Sequence, residues 1–310
     1  MCIFAHGDGG KEMQSTPHAD DLLVLLAVAR LGKFKAAASA LGTTHTTVSR
    51  RIVELDTALG GRTFVRGNDG WELTALGSEA LRVAEQIEAG LASLSNYASD
   101  APGLSGIVRL STPDAFSMRY VTPATVAVQR DNPNLSVEVV SSTRRVSQHR
   151  SGVDIEIVIG QPSVRNTLYV PLTQYFLRLY ATPQYLERNG TPQALDDLRK
   201  HTLISYIETD LQVPELGRVG SGLPAPHAFF QSTGIFTQRM AALHHGGIAL
   251  LPSFVVDDDT PLLPVLREQV ERKRQIGAVM RIESANSPST QAVLVSIQEE
   301  IRSRQHEFLR

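Results

Sequence analysis

The sequence predicts an α/β protein in three parts: a small helical head closed by a β-hairpin, one long helix, and a body of two α/β lobes. Three observations carry this. Gly32, Gly42 and the Gly60-Gly61 pair cut the early chain into three short helical segments. Residues 74–97 contain no proline and repeat apolar side chains at steps of three and four. After "SDAPGLSG", residues 99–106, strand-like runs alternate with helical sequence to the end.

Residues 1–18 show no periodicity, and the sequence reads as a flexible extension in which Met13 is an alternative start. Its "GDGG" is attached to no strand and reads as disorder. Residues 20–31 form the first expected helix, acidic at its start and stopped by Gly32. "KAAASAL", residues 35–41, is a second and shorter one. Thr43 or Thr44 caps a third, which runs to Leu59. "RTFVRGNDGWELT" then places two short extended runs around Asn68-Asp69-Gly70, a strong hairpin signal. Helix-turn-helix plus hairpin gives a winged helix-turn-helix over residues 19–74.

The long helix, residues 75–98, carries Leu76, Ala80, Val83, Ile87, Leu91 and Leu94 at steps of 4, 3, 4, 4 and 3. That stripe suits pairing with a second copy of the helix. Beyond a hinge at 99–106, the runs "GIVRLSTP", "LSVEVVSS", "DIEIVIG", "FLRLYATP", "HTLISYI", "GGIALLP" and "GAVMRIES" read as strands. Their alternation with helices predicts layers on parallel sheets, and about 200 residues of it fit two small lobes. The first lobe is assigned residues 107–175 and 263–310, the second 176–262, with a final helix from Ser287-Pro288 to near Arg302.

The distribution of charge says more than its sum. Residues 30–66 hold seven basic residues against Glu54 and Asp56, a local +5, which leaves −7 for the rest of a chain whose total is −2. A basic segment on an acidic body implies one part that meets a polyanion and another that does not. The single cysteine, Cys2, excludes a disulfide framework. The longest apolar run, "LLVLLAVA", is far short of the roughly 18 residues that span a bilayer. With no signal peptide legible, a cytoplasmic location and no membrane partner are expected. Neighbouring His244-His245 face different ways and make a poor metal pair. Asp257-Asp258-Asp259 lacks the rest of a calcium loop. No nucleophile elbow or phosphate loop is present, so no enzyme and no cofactor are expected.

The third helix explains the basic segment. At about 100° per residue, Val48, Ile52 and Leu55 fall in one arc and face the core. Thr46, Arg50 and Val53 lie opposite, flanked by Thr47, Ser49 and Glu54, with His45 in the first turn. Threonine and serine are mediocre helix formers, but hydroxyls, an imidazole and a guanidinium are what base edges in a major groove bind. The first-turn N–H groups can meet a phosphate.

On "ARLGKFKAAASALGTTHTTVSRRIVELDTALGGRTFVRGNDGWELTALG", the chain resembles a LysR-type transcriptional regulator. The resemblance continues through the long helix and, in architecture, through the body, including "GGIALLP". It implies a winged helix-turn-helix, a dimerising linker helix, and a two-lobed effector domain like a periplasmic binding protein. It implies a homodimer or homotetramer on double-stranded operator DNA, with RNA polymerase as a further partner. Thr44, His45, Thr46, Thr47, Ser49 and Arg50 would lie near bases, Lys35 and Arg51 near phosphates, and Arg66 on the wing. Many members have Gln-Pro-Ala where this chain has His45-Thr46-Thr47, so no operator sequence follows.

A two-lobed domain holds ligands at strand ends between its lobes. The residues expected there are Ser111 and Thr112, Ser205 and Tyr206, Phe229 and Thr233, and the backbone of Gly247 and Ile248. Small hydroxyls and open backbone suit a small organic anion or aromatic acid as effector. The rival readings are a two-lobed small-molecule-binding protein and a non-specific DNA binder without effector control.

Overall fold

The computed structural model describes residues 16–67, 70–98, 103–141, 153–160, 167–207 and 222–309. Most of the N-terminal extension, the Asn68-Asp69 turn and hinge residues 99–102 lie outside the described residues. The chain divides into two units, up to residue 99 and from residue 100 onward.

In the first unit, α1 (Ala19–Leu31) starts on Asp20 and Asp21 and ends where Gly32, at φ 66°, donates its N–H to the Val28 carbonyl. Helix α2 (Phe34–Ala40) begins one residue before Lys35. Of the two candidate caps for α3 (His45–Leu59), Thr44 is the one used: its hydroxyl accepts the Thr47 N–H at 3.2 Å. Gly60, at φ 71°, closes the helix in the left-handed conformation that glycine adopts without a Cβ penalty. Val48, Ile52 and Leu55 are buried against Leu22, Leu25 and Val28 of α1 and Phe34 and Ala37 of α2. Burying each such side chain fully contributes about 1.5–3 kcal/mol.

The wing is an antiparallel pair, β1 (Phe64–Gly67) and β2 (Gly70–Leu73), with Arg66 opposite Trp71. Asp56, near the end of α3, accepts from both the backbone N–H and the hydroxyl of Thr63, tying the wing to the helix. Helix α4 (Ala75–Ala98) follows. Its first turn packs so closely on the residue leading into the wing that a Cβ on Gly77 would overlap the Thr63 carbonyl.

Helix α4 has two apolar faces, where the sequence reading had one stripe. Ala80, Leu81 and Ala84 are buried in the head, and Ile87 packs against that same cluster. Arg30 of α1 holds Glu88 by two bonds of 2.7 and 2.6 Å. From the expected stripe, Val83 and Leu91 stay exposed and Leu76 is half-buried. The side chain of Leu94 lies outside the described residues.

The second unit is built on a mixed sheet whose order is β4-β3-β5-β11-β6-β9-β7-β8 among the described residues, with β10 also on β6. The strands are β3 (Gly106–Thr112), β4 (Leu135–Ser141), β5 (Ile155–Ile159), β6 (Thr167–Ala181), β7 (Thr202–Ser205), β8 (Ala228–Gln231), β9 (Ile248–Pro252), β10 (Leu263–Val265) and β11 (Glu271–Arg281). The parallel pairing expected from the alternation holds at both ends, for β4-β3-β5 and for β9-β7-β8. The middle departs from it: β6 and β11 run antiparallel along their whole length, with a bulge at Ile276/Gly277. These two long strands cross between the lobes, which local alternation cannot encode. Residues 263–265 and 271–273, assigned from sequence to the first lobe, pair with residues 176–181 of β6, a stretch assigned to the second.

Helices α5 (Thr122–Asp131), α6 (Pro183–Asn189), α7 (Ile235–Leu243) and α8 (Pro288–Ser303) pack around the sheet, α8 starting at Ser287-Pro288 as expected, with Ser287 as its cap. A turn at Asp114–Phe116 and a π-helical turn at Ser117–Val121 lead into α5. A final turn, α9 (His306–Leu309), sets Phe308 against Tyr120 and Phe254.

Candidate functional site

The outer face of α3 is open. Thr44, His45, Thr46, Arg50 and Val53 are exposed, and Thr47 and Ser49 are half-buried. The Thr44 and Thr47 hydroxyls meet at 2.9 Å, so the cap also fixes the first-turn side chains. His45 lies 6.0 Å from the Phe34 ring, and Phe34 also packs on Trp71 of the wing at 5.1 Å. One aromatic residue of α2 therefore braces the start of α3 and the wing together. Lys35 and Arg66 are exposed on α2 and β1. Arg50, 63% exposed, pairs along the helix with Glu54 at 2.6 Å.

Arg51 stands apart from this group. Its guanidinium lies 3.6 Å from Asp21 and 3.8 Å from Asp20, at the start of α1. Asp21 is only 7% exposed, so Arg51 neutralises a carboxylate that burial would otherwise penalise.

The second unit contains a cavity of about 30 Å³ lined from both lobes by residues 113–116, Ile159, Tyr175, Tyr206, Ile235, Pro252, Phe254 and Ile276. Of the residues expected in a cleft, Tyr206 is the one that lines it. Ser111 and Thr112 are buried at the end of β3, with the Thr112 hydroxyl turned to the Pro113 carbonyl. Ser205 points at the Tyr206 carbonyl at 3.5 Å. Phe229 is exposed on the edge strand β8, and Thr233 is exposed ahead of α7. Gly247 serves close packing, since a Cβ there would meet the Thr202 carbonyl oxygen at 2.5 Å. Ile248 is fully buried on β9. The cavity lies just beyond Ser111 and Thr112, where "PDAF" begins a helical turn, and it is these four residues rather than the strand-end hydroxyls that line it.

Burial pushes the phenols of Tyr175 and Tyr206 well above their ordinary pKa, and for Tyr206 the Asp114 carboxylate adds to that push. Both stay protonated at neutral pH. The other sequence candidates form no metal site: among the described residues no group of His, Cys, Asp and Glu could hold one. His245 Nδ1 lies 2.7 Å from the Thr182 hydroxyl, and Asp257 pairs with Arg119 at 2.7 Å and Arg239 at 3.4 Å. No described helix is long and apolar enough to cross a membrane.

Comparison with known proteins bears on both units. A family model described as "Bacterial regulatory helix-turn-helix protein, lysR family" matches residues 19–78, and one described as "LysR substrate binding domain" matches residues 101–302. The chain is 26% identical over 263 residues to the HTH-type transcriptional regulator CrgA of Neisseria meningitidis serogroup C (strain 8013), covering 83% of this chain and 87% of that protein. It is 28% identical over 203 residues to the HTH-type transcriptional activator TtdR of Escherichia coli (strain K12), 64% of each. In fold it is similar to ArgP from Mycobacterium tuberculosis, with a TM-score of 0.69 at 19% identity over 90% of this chain and 96% of that one. A structure of CrgA gives 0.55 at 23% identity over 92% and 99%. The chain belongs to the LysR family of transcriptional regulators, which are not enzymes and which join a DNA-binding helix-turn-helix to an effector-binding domain.

Proposed function

We propose that α3 lies in the major groove of an operator, with Thr44, His45, Thr46, Thr47, Ser49 and Arg50 at base edges. Lys35 and Arg66 hold the flanking phosphates or minor groove. The single observation that carries this is the outer face of α3: Thr44, His45, Thr46 and Arg50 are exposed while Val48, Ile52 and Leu55 on the opposite face are buried. Arg51 serves the head itself rather than the DNA, because its guanidinium is paired with Asp21. The small effector sits in the cavity between the lobes and biases their relative orientation. The protein self-associates as a dimer or tetramer through the exposed stripe of α4, Val83 and Leu91, and works in the cytoplasm with RNA polymerase as its further partner.

Electrophoretic mobility shift on the DNA upstream of its own gene tests the reading. A discrete complex that survives excess random DNA at moderate salt is expected. Binding that falls with salt equally on all sequences would make the protein a non-specific binder.

A further inference from the structure

We infer that Trp71 is the positioning residue of the wing: packed on Phe34, its indole holds the outer part of the hairpin, and Arg66 with it, at the angle from which the wing meets DNA. This deepens the reading of the head as an operator binder and rests on it. In the β1–β2 register Phe64 stands opposite Leu73, and Arg66 opposite Trp71. Residues two apart on a strand share a face, so these four lie on one side of the hairpin. At the base of that side Phe64 is buried and Leu73 packs on the helical core. Two residues further out Arg66 and Trp71 emerge from it, Trp71 being 45% exposed.

A two-stranded hairpin is marginally stable by itself and depends on what it packs against. Asp56 and Thr74 tie this one at its base: Asp56 accepts from the Thr63 N–H and hydroxyl, and Thr74 donates its N–H to the Thr63 carbonyl and its hydroxyl to that of Arg62. Further out, Trp71 joins the hairpin to α2 through its ring contact with Phe34 at 5.1 Å. Phe34 is itself fixed, nearly buried and set edge-on to Phe64 at 5.9 Å. It also lies 6.0 Å from His45, so the residue that seats the indole is referenced to the first turn of α3. Residues directly opposite across a strand pair have Cβ atoms about 4.5–5.5 Å apart, so a tilt at Trp71 is carried to Arg66. Without the indole the wing keeps its base and loses the contact that sets its angle. The loss of a neutral side chain then acts on DNA as the loss of a cation.

The test is an anisotropy titration of a labelled duplex from the DNA upstream of the protein's own gene, at several salt concentrations. The full-length variants are Trp71→Ala, Trp71→Phe, Arg66→Ala and the Trp71→Ala/Arg66→Ala pair. Trp71→Ala should weaken binding about threefold or more and lower the slope of log affinity against log salt, as Arg66→Ala does, by up to about 0.9. An uncharged residue that only stabilised the head, or that touched DNA itself, would leave that slope unchanged. Trp71→Phe keeps a ring on Phe34 and should bind within about twofold of the unaltered protein. The double variant should bind about as Arg66→Ala does, because the two side chains act as one unit. Should alanine unfold the head by circular dichroism, Trp71→Leu takes its place in the same cycle. Unchanged affinity in Trp71→Ala overturns the inference, and so do additive losses in the double variant or an unchanged salt slope. A loss in Trp71→Phe as large as that in alanine makes the indole a DNA contact and overturns the positioning role. No specific complex with the unaltered protein overturns the operator reading, and this inference with it.

Discussion

Replacing Arg50 with alanine separates base reading from charge. The guanidinium is 63% exposed and, among the described residues, held by Glu54 alone, one turn along α3. An exposed pair at this spacing stabilises a helix by about 0.3–0.5 kcal/mol. Its loss therefore costs the free protein very little, and Glu54 is left in water rather than buried. On the operator the balance differs. A guanidinium that grips a guanine contributes about 1–3 kcal/mol of discrimination, less the fraction of a kcal/mol spent in leaving Glu54. Arg50→Ala should thus weaken operator binding by roughly 3- to 80-fold and leave the melting temperature nearly unchanged. Fluorescence anisotropy titrations on operator and random duplexes, each at several salt concentrations, provide the assay. On random DNA the loss should be small. If instead both duplexes lose affinity alike and the slope of log affinity against log salt shrinks by about 0.9, Arg50 is a phosphate contact and the groove-facing assignment of α3 fails.

Four further outcomes follow from the same structure. Arg51→Ala should destabilise the head by about 1 kcal/mol, because Asp21 stays buried without its partner; unchanged chemical denaturation with lost DNA affinity would return Arg51 to the phosphates. Gly77→Ala should cost about 2 kcal/mol or more in the same measurement, since the new Cβ meets the fixed backbone carbonyl of Thr63, and that clash outweighs the gain of about 1 kcal/mol in helix propensity. Leu91→Glu, on a side chain 50% exposed on α4, should shift sedimentation toward monomer with folding intact, and an unchanged oligomer would move the interface elsewhere. Burial pushes the Glu307 pKa up, but bonds from Arg304, Tyr120 and Arg119 outweigh it and hold the group at about 2. A carboxyl depressed in the folded state stabilises above its unfolded value, so this contribution is complete above about pH 4.5 and is lost as pH falls toward 2. Glu307→Gln should flatten acid unfolding across that window, as followed by circular dichroism.

The head was legible in the sequence because its signals are local. A threonine cap, left-handed glycines and a three-residue apolar arc each act within one or two turns, and the structure moves their boundaries by about a residue. Helix α4 was half legible: period locates its apolar residues, but nothing local distinguishes Ala80, which is buried in the head, from Leu91, which is exposed. In the body, the strands could be read but their partners could not. Tyr175 sits in "TQYFLRLYA", a run that any core strand could carry, and faces the cavity only because β6 crosses the sheet against β11. Ser111 and Thr112 drew notice as hydroxyls at a strand end, yet chain geometry turns them inward and brings Asp114 to the space.

The place of the cavity relative to the crossing strands makes it suited to control. Ile276 lines the cavity and is also the residue at which the β6–β11 register shifts. Beside it, Gly277 leaves out the Cβ that would overlap the Tyr169 ring, so the bulge is closed by an aromatic side chain packed on bare backbone. A ligand seated there touches the first lobe at residues 113–116, the second at Tyr206 and Ile235, and the strands that join them. It can bias lobe orientation only through contacts that differ between the two arrangements, and a site on the bend supplies such contacts from three directions. Coupling of this kind typically amounts to about 1–3 kcal/mol and is reciprocal. An effector that tightens operator binding tenfold must itself bind tenfold tighter once the operator is occupied.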